Sequence, residues 1–333
     1  MKTSVSTPPA WADELLDAAA EAGEDVKHGI VLATQWGRLL PQPGEGGTAQ
    51  RWGVLAAVAE RELTVARILE AHSDALAIMH EAGVGEPDGS WGVFAAEAPG
   101  TRVEADQAHP LALSGVKPWC SLAGLLDHAL VTAHCEGGRG LYAVDLKDPS
   151  VSVEPAERWV ARGLRNVTSA AIRLDRTPAH PVGGPNWYLD RPGFAWGGMG
   201  VAACWYGGAR GVYQTLRERA TTSRSDLPAL HVGVVDVALH AAEATLDAAA
   251  EAIDAGSAAG DAGAMLALRV RSVVAEAAER VVHQTGHALG PAPMAFDERH
   301  ARRVADLELY VRQHHGERDL AALGAKVLGR GGQ

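Results

Sequence analysis

The residues best suited to proton transfer gather near the C-terminus. Tyr310, Arg312, His314, His315, Glu317, Arg318 and Asp319 lie close together in the chain. Histidine is the side chain whose ordinary pKa lies nearest neutrality, and a neighbouring carboxylate can orient it or share its proton. His314 and Glu317 are therefore the candidate catalytic residues. In a continuous helix, adjacent histidines point about 100° apart, so only one faces a given cavity. His314 and Arg318 then share a face at i, i+4, and so do His315 and Asp319. The same residues equally suit a solvated helix end whose cations complement the dipole.

Other titratable groups carry less. His283 and His287 are spaced as half of a metal site, but no third ligand accompanies them, so no metal is expected. Asp297, Glu298 and His300 precede two arginines and read as a solvated charge cluster. Glu243 lies on a helical stretch with nothing to set it apart from a surface glutamate. The glycine-rich stretch 191–200 contains neither GxGxxG nor a P-loop lysine, so it is not a phosphate cradle.

The elements that must position these groups fall into three zones, giving an α+β chain with segregated layers. Residues 1–88 read as a helical domain. Ser6 or Thr7 is placed to cap a helix opening at Pro8-Pro9, and Thr48 to cap a long helix through 51–80. Residues 89–193 turn to short strands separated by Pro-Gly, Gly-Gly and Asp-Pro, the pattern of a small antiparallel β-barrel or sandwich. His128–Ala133 and Leu141–Leu146 pair across a turn at 136–140, and Val167–Leu174 forms another strand. Residues 194–333 return to helical periodicity over 201–219, 232–252, 266–285 and 301–323, a four-helix bundle. The small-residue run VAACWYGGARG in the first of these permits a close backbone approach.

Bulk properties exclude some functions. The 333 residues carry 30 Lys+Arg against 41 Asp+Glu, a net charge of -11. That balance disfavours sequence-independent nucleic-acid binding, which displaces phosphate counterions with basic surface. The three cysteines, Cys120, Cys135 and Cys204, have no metal spacing and fit a reducing cytoplasm. The N-terminal stretch lacks the apolar core of a signal peptide, and no long apolar run is free of charged or polar breaks, so no membrane span is expected.

The order of motifs resembles the acyl-CoA dehydrogenase family. The resemblance is carried by LALSGVKPWCSLAG (111–124), GLRNVTSAAIRLDRTPA (163–179) and FAWGGMGVAACWYGGARG (194–211). It implies an N-terminal helical domain, a central antiparallel β-barrel and a C-terminal four-helix bundle, assembled as a homodimer or homotetramer. It also implies FAD and an oxidoreductase acting on a CH–CH group of a small molecule, an acyl-CoA thioester or a related substrate. By the same resemblance Trp119, Cys120 and Ser121 lie along the flavin ring, with Glu97 in the other flavin segment. Arg224 and Gln284 would serve the remainder of the FAD. Two departures stand out. The family's Thr-Glu-Pro becomes Ala96-Glu97-Ala98, and the C-terminal Tyr-Glu-Gly-Thr carrying the catalytic glutamate becomes Tyr310-Val311-Arg312-Gln313. Histidines at this place resemble the branch of reduced-flavin-dependent monooxygenases. A third reading is a family member without flavin that acts as a binding or assembly subunit.

Overall fold

The computed structural model describes residues 4–85, 88–106 and 110–330. Four helices come first: α1 (Asp13–Ala22), α2 (Val26–Trp36), α3 (Thr48–Arg61) and α4 (Leu63–Glu81). The single long helix expected over 51–80 is two helices. The backbone of Glu62 is extended (φ -151°, ψ 110°), and its carboxylate accepts a hydrogen bond from the Thr64 N–H at 3.2 Å to cap α4. Arg302 fixes this break by donating to both Glu62 oxygens at 2.8 Å. Gly47, not Thr48, holds the cap position of α3; the Thr48 hydroxyl instead accepts from Gly44 N–H at 2.9 Å. Near the start, Pro9 precedes a short 3-10 turn at Ala10–Ala12 that leads into α1.

Eight strands follow: β1 (Trp91–Phe94), β2 (Val103–Asp106), β3 (Ala112–Ser121), β4 (His128–Cys135), β5 (Gly138–Asp145), β6 (Val151–Val153), β7 (Ser169–Pro178) and β8 (His180–Val182). The β4–β5 hairpin runs in register from His128↔Asp145 to Cys135↔Gly138, as the alternation predicts. The closed antiparallel barrel is corrected. The sheet is open, in the order β6-β7-β3-β2-β4-β5-β8, with β1 beside β4. It is also mixed, since β1 and β2 both run parallel to β4. A helix covers one face of this open sheet. Leu76, Ile78 and Met79 of α4 form one buried cluster with Leu130, Leu141 and Val182. The two free edges, β6 and β8, are three residues each, too short to recruit another strand readily.

The helical remainder comprises α5 (Trp187–Asp190), α6 (Pro192–Thr222), α7 (Leu227–Asp254), α8 (Gly260–Leu289), α9 (Pro291–Phe296), α10 (Glu298–Tyr310) and α11 (Glu317–Val327). Three expected bundle helices fall inside α6, α7 and α8. The fourth is interrupted. After Tyr310 comes a 3-10 turn; His314 is extended, and Gly316 takes a positive φ of 56° before α11 begins. The close backbone approach read from the small residues is present. A Cβ on Gly207 would lie 2.0 Å from the Ala56 carbonyl oxygen, so α6 packs backbone to backbone against α3.

One polar contact ties α4 to the sheet. Buried His72 accepts from the Trp91 N–H through Nδ1 at 3.1 Å. Burial, reinforced by the Arg38 charge, lowers its pKa to about 4, so it is neutral in the fold. The unfolded chain binds a proton here below about pH 6.5. This site therefore contributes its full stability above that pH and loses it as the pH falls toward 4. The shift corresponds to about 3 kcal/mol. Urea denaturation at pH 7.5 and pH 4.5 should show that slope in the wild type and a shallower one in His72→Gln; equal slopes would assign the pH dependence to other groups.

Candidate active site

A cavity of about 570 Å³ lies between the sheet and the helices. Its sheet wall is built by an irregularity in β3. Register with β7 passes from Lys117↔Ile172 to Cys120↔Ala170, so Pro118 and Trp119 oppose one residue. This is a bulge, a device that re-aims a side chain. Trp119 takes the left-handed φ of 59° and is 60% exposed, with its indole on the cavity. A non-glycine residue in that conformation costs about 1–3 kcal/mol and persists where the surroundings enforce it. The enforcement lies on the opposite face. The Lys117 ammonium donates to the Thr132 carbonyl at 3.0 Å and to its hydroxyl at 2.7 Å. The Cys120 thiol donates to the Lys117 carbonyl at 3.3 Å. Burial, with Arg139 nearby, lowers Lys117 to about 8, and burial pushes Cys120 up to about 12.

Trp119 and Ser121 therefore reach the cavity as expected, while Cys120 does not. It is fully buried behind the strand and is corrected from a ring-side residue to an anchor of the bulge. The Ser121 hydroxyl lies 2.8 Å from that of Ser169 on β7, which also lines the cavity. Glu97 stands on the same wall, bound by Arg139 at 2.8 Å and near His134 at 3.1 Å.

The helix wall is charged. Arg67 Nη1 lies 3.0 Å from Glu70 Oε2, and the Tyr310 hydroxyl donates to the same oxygen at 3.0 Å. Arg67 also reaches the Ser121 hydroxyl at 3.5 Å, joining the two walls. Burial raises the pKa of Glu70, with Arg67 pulling against it. Burial and the Glu70 charge hold Tyr310 well above its ordinary value, so its hydroxyl remains a donor. One helical turn further, Asp74 also lines the cavity; burial raises it, opposed chiefly by Arg191. The Trp159 indole N–H, buried at the same cavity, has no hydrogen-bond partner among the described residues.

The C-terminal cluster is only partly delivered. Arg312, Gln313 and His315 border the cavity. His315 Nδ1 lies 3.2 Å from Asp319, the pairing expected from the sequence. The break before α11 turns His314 away: its Nε2 lies 3.2 Å from the Ser272 hydroxyl, and its ring meets Trp205 edge-on. Its expected shared helix face with Arg318 is lost with the helix. Glu317 starts α11, exposed and off the cavity. Neither His314 nor Glu317 borders the site in this chain. Arg224 lies on the exposed loop between α6 and α7, and Gln284 on α8 bonds His231 at 2.7 Å; both are also off the cavity. Glu243 accepts from Tyr206 at 2.9 Å and serves to hold the chain start. The sequence reading missed Arg67, Glu70 and Asp74. Their signal was present: three charges at i, i+3 and i+7 within the largely apolar stretch 63–79.

No protein-family profile and no curated protein matches the chain. Solved structures do. KijD3 in complex with FMN and dTDP-3-amino-2,3,6-trideoxy-4-keto-3-methyl-D-glucose aligns with TM-score 0.77 at 18% identity, covering 99% of this chain and 97% of that one. The methanesulfinate monooxygenase MsuC from Pseudomonas fluorescens aligns with TM-score 0.76 at 17% identity, covering 96% of each chain. TdsC from Paenibacillus sp. A11-2 with FMN and indole gives TM-score 0.77 at 14% identity, covering 95% and 97%. The chain shares the fold of these solved structures. At such identities the likeness is one of fold, and it spans the helical, sheet and bundle segments together.

The buried triad makes a direct prediction. Tyr310→Phe deprives Glu70 of its hydroxyl donor and should lower the unfolding free energy by about 1–3 kcal/mol. Urea titration measures it; an unchanged midpoint would mean that the bond contributes no net stability.

Proposed function

We propose that the chain is a flavin-dependent monooxygenase that receives reduced FMN and oxygenates a small polar molecule in the cavity beside Trp119. The observation that carries this reading is the sheet wall. Trp119 offers a flat aromatic surface and Ser121 and Ser169 offer hydroxyls, the set an isoalloxazine ring requires. The unpartnered Trp159 N–H supplies a further donor where a ring heteroatom would satisfy it. These residues fit a flavin. Bound in reduced form, it supplies the electrons that activate dioxygen and permits transfer of one oxygen atom to the substrate.

The chain's own residues then bind, orient and move protons. The Trp119 wall excludes water from one face. Arg67 and Arg312 add hydrogen-bond donors to a lining that also carries Glu70, Asp74 and Glu97. Tyr310 keeps its proton directed at Glu70, and His315, oriented by Asp319, is a proton acceptor at the opening. Monooxygenation is favoured over acyl thioester dehydrogenation by the C-terminal segment. Where the dehydrogenase pattern carries a glutamate this chain has Val311, and the following Arg312 and Gln313 line the cavity. FMN is favoured over FAD because KijD3 and TdsC are seen with FMN.

A second copy of the chain is the partner that best fits α7. This helix is long and apolar enough to cross a membrane, with mean hydropathy 1.3, yet only 22% of that stretch is buried. Here it belongs to the bundle and leaves Leu227, Leu230 and Val237 exposed. We place an oligomer contact on that face. Sedimentation velocity should show an oligomer in the wild type that Val237→Glu weakens; a wild-type monomer would remove the proposal. The free thiols fit a reducing, cytoplasmic compartment.

The functional reading is tested by anaerobic titration with reduced FMN, followed by substrate screening with dioxygen and a flavin reductase. Wild type should bind reduced FMN, and Trp119→Ala should weaken binding at least tenfold. Absence of binding defeats the reading and favours a flavin-free binding subunit. Bleaching of bound oxidised flavin by an acyl-CoA would instead establish the dehydrogenase.

A further inference from the structure

Asp74 borders more than one cavity. A second cavity of about 260 Å³ shares this residue and is bounded by the 41–47 loop, the end of α4 and the start of α6. The His80–Glu45 contact, 2.7 Å, joins the loop to α4 beside it. Three polar side chains here have unmet hydrogen-bonding capacity. The Arg191 side chain is 3% exposed and reaches Glu81 through Nη1 at 2.6 Å, but its Nε has no partner among the described residues. Gln42 Oε1 is buried and likewise unpartnered. The Asp74 carboxylate makes no hydrogen bond or ion pair of its own among the described residues, in contrast to Glu70 and Glu97, which share its main cavity.

A Cβ on Gly197 would lie 2.8 Å from Asp74 Oδ1, so the absence of a side chain there lets the carboxylate pack close against α6. Trp196 adds an aromatic wall, its N–H already bonded to the Ala258 carbonyl at 2.7 Å. The site thus presents two acceptors, one donor and one aromatic face. An acyl chain would leave all three polar groups unsatisfied, each at a desolvation cost. A hydroxyl group both donates and accepts, so a ring bearing several hydroxyls meets all three while its apolar face lies on the indole.

We propose that this second cavity is a substrate-recognition subsite for a polyhydroxylated or amino-hydroxylated ring, with Asp74 accepting its hydrogen bond at the junction with the flavin cavity. That the ring is part of the substrate rests on the monooxygenase reading; that the subsite binds it does not. The reacting end of the molecule would extend past Asp74 toward Trp119.

Saturation-transfer NMR on the full chain tests this with methyl glycosides of glucose, galactose, mannose and glucosamine, and with cyclohexanol as an apolar control. At least one glycoside should bind, cyclohexanol should not, and both Asp74→Asn and Gln42→Leu should weaken glycoside binding at least fivefold. Preference for glucosamine would identify an ammonium as the donor to Asp74; preference for a neutral glycoside would identify a hydroxyl. Gln42→Leu should leave reduced FMN binding within twofold of wild type, which shows that the variant is folded. No binding of any glycoside, or binding that both variants leave intact, overturns the subsite. Glycoside binding without FMN binding would defeat the monooxygenase reading and leave the subsite standing.

Discussion

The ion pair of Arg67 and Glu70 is where the three parts of the chain meet. Both residues belong to α4 in the N-terminal helices. Tyr310, at the end of α10, donates to Glu70, and Arg67 reaches Ser121 on the sheet. Displacing any one segment would leave a charged or polar group short of partners inside the protein. Such a pair is weak evidence for net stability, because desolvation offsets much of the Coulomb attraction. Its value here is geometric. It fixes the width of the cavity, since the groups joined across it belong to opposite walls.

The sheet wall has the complementary problem of holding a large aromatic side chain in the open. The bulge at Pro118–Trp119 accomplishes this at the cost of a strained backbone. Lys117 and Cys120, the residues on either side, are buried and hydrogen-bonded, so they anchor the bulge from behind. Lys117 combines both roles of a buried lysine. Its ammonium satisfies the Thr132 carbonyl and hydroxyl, and its displaced pKa records what that burial costs. Strain concentrated beside a cavity and maintained by such anchors is characteristic of a site, not of a loop free to relax.

Periodicity made the layers legible. Strand alternation gave the β4–β5 hairpin to within about three residues at its inner ends, and helical spacing gave α6, α7 and α8. What it could not give was interruption. Glu62 and Gly316 break helices whose apolar pattern continues, because capping by Glu62 and a left-handed turn at Gly316 outweigh propensity. The second break decided the reading of the C-terminus. A helix through 301–323 would group His314 with Arg318, whereas the turn presents Gln313 and His315 to the cavity and puts His314 against Trp205. Sheet closure was illegible for another reason. Short strands with regular turns suit a barrel or an open sheet equally, and only the packing of α4 over Leu130 and Leu141 decides between them.

Asp74 shows why a list of cavity carboxylates is not a list of equivalent groups. Glu97 is held by Arg139, and Glu70 by Arg67 and Tyr310, so the lone pairs of both are partly committed to neighbours. Asp74 has only the more distant fields of Arg191, Arg51 and Arg67 to oppose its burial. A buried carboxylate in that condition has three ways to lower its energy: hold a proton, admit water, or accept a donor from a ligand. The nearby Arg191 Nε and Gln42 Oε1 are unmet as well, so one ligand can relieve several costs together. Clustering separates this group from scattered buried orphans such as Thr285 Oγ1 elsewhere in the fold. An isolated unsatisfied atom is a local imperfection. Two beside a half-buried cavity carboxylate and an aromatic wall are the complement of a molecule.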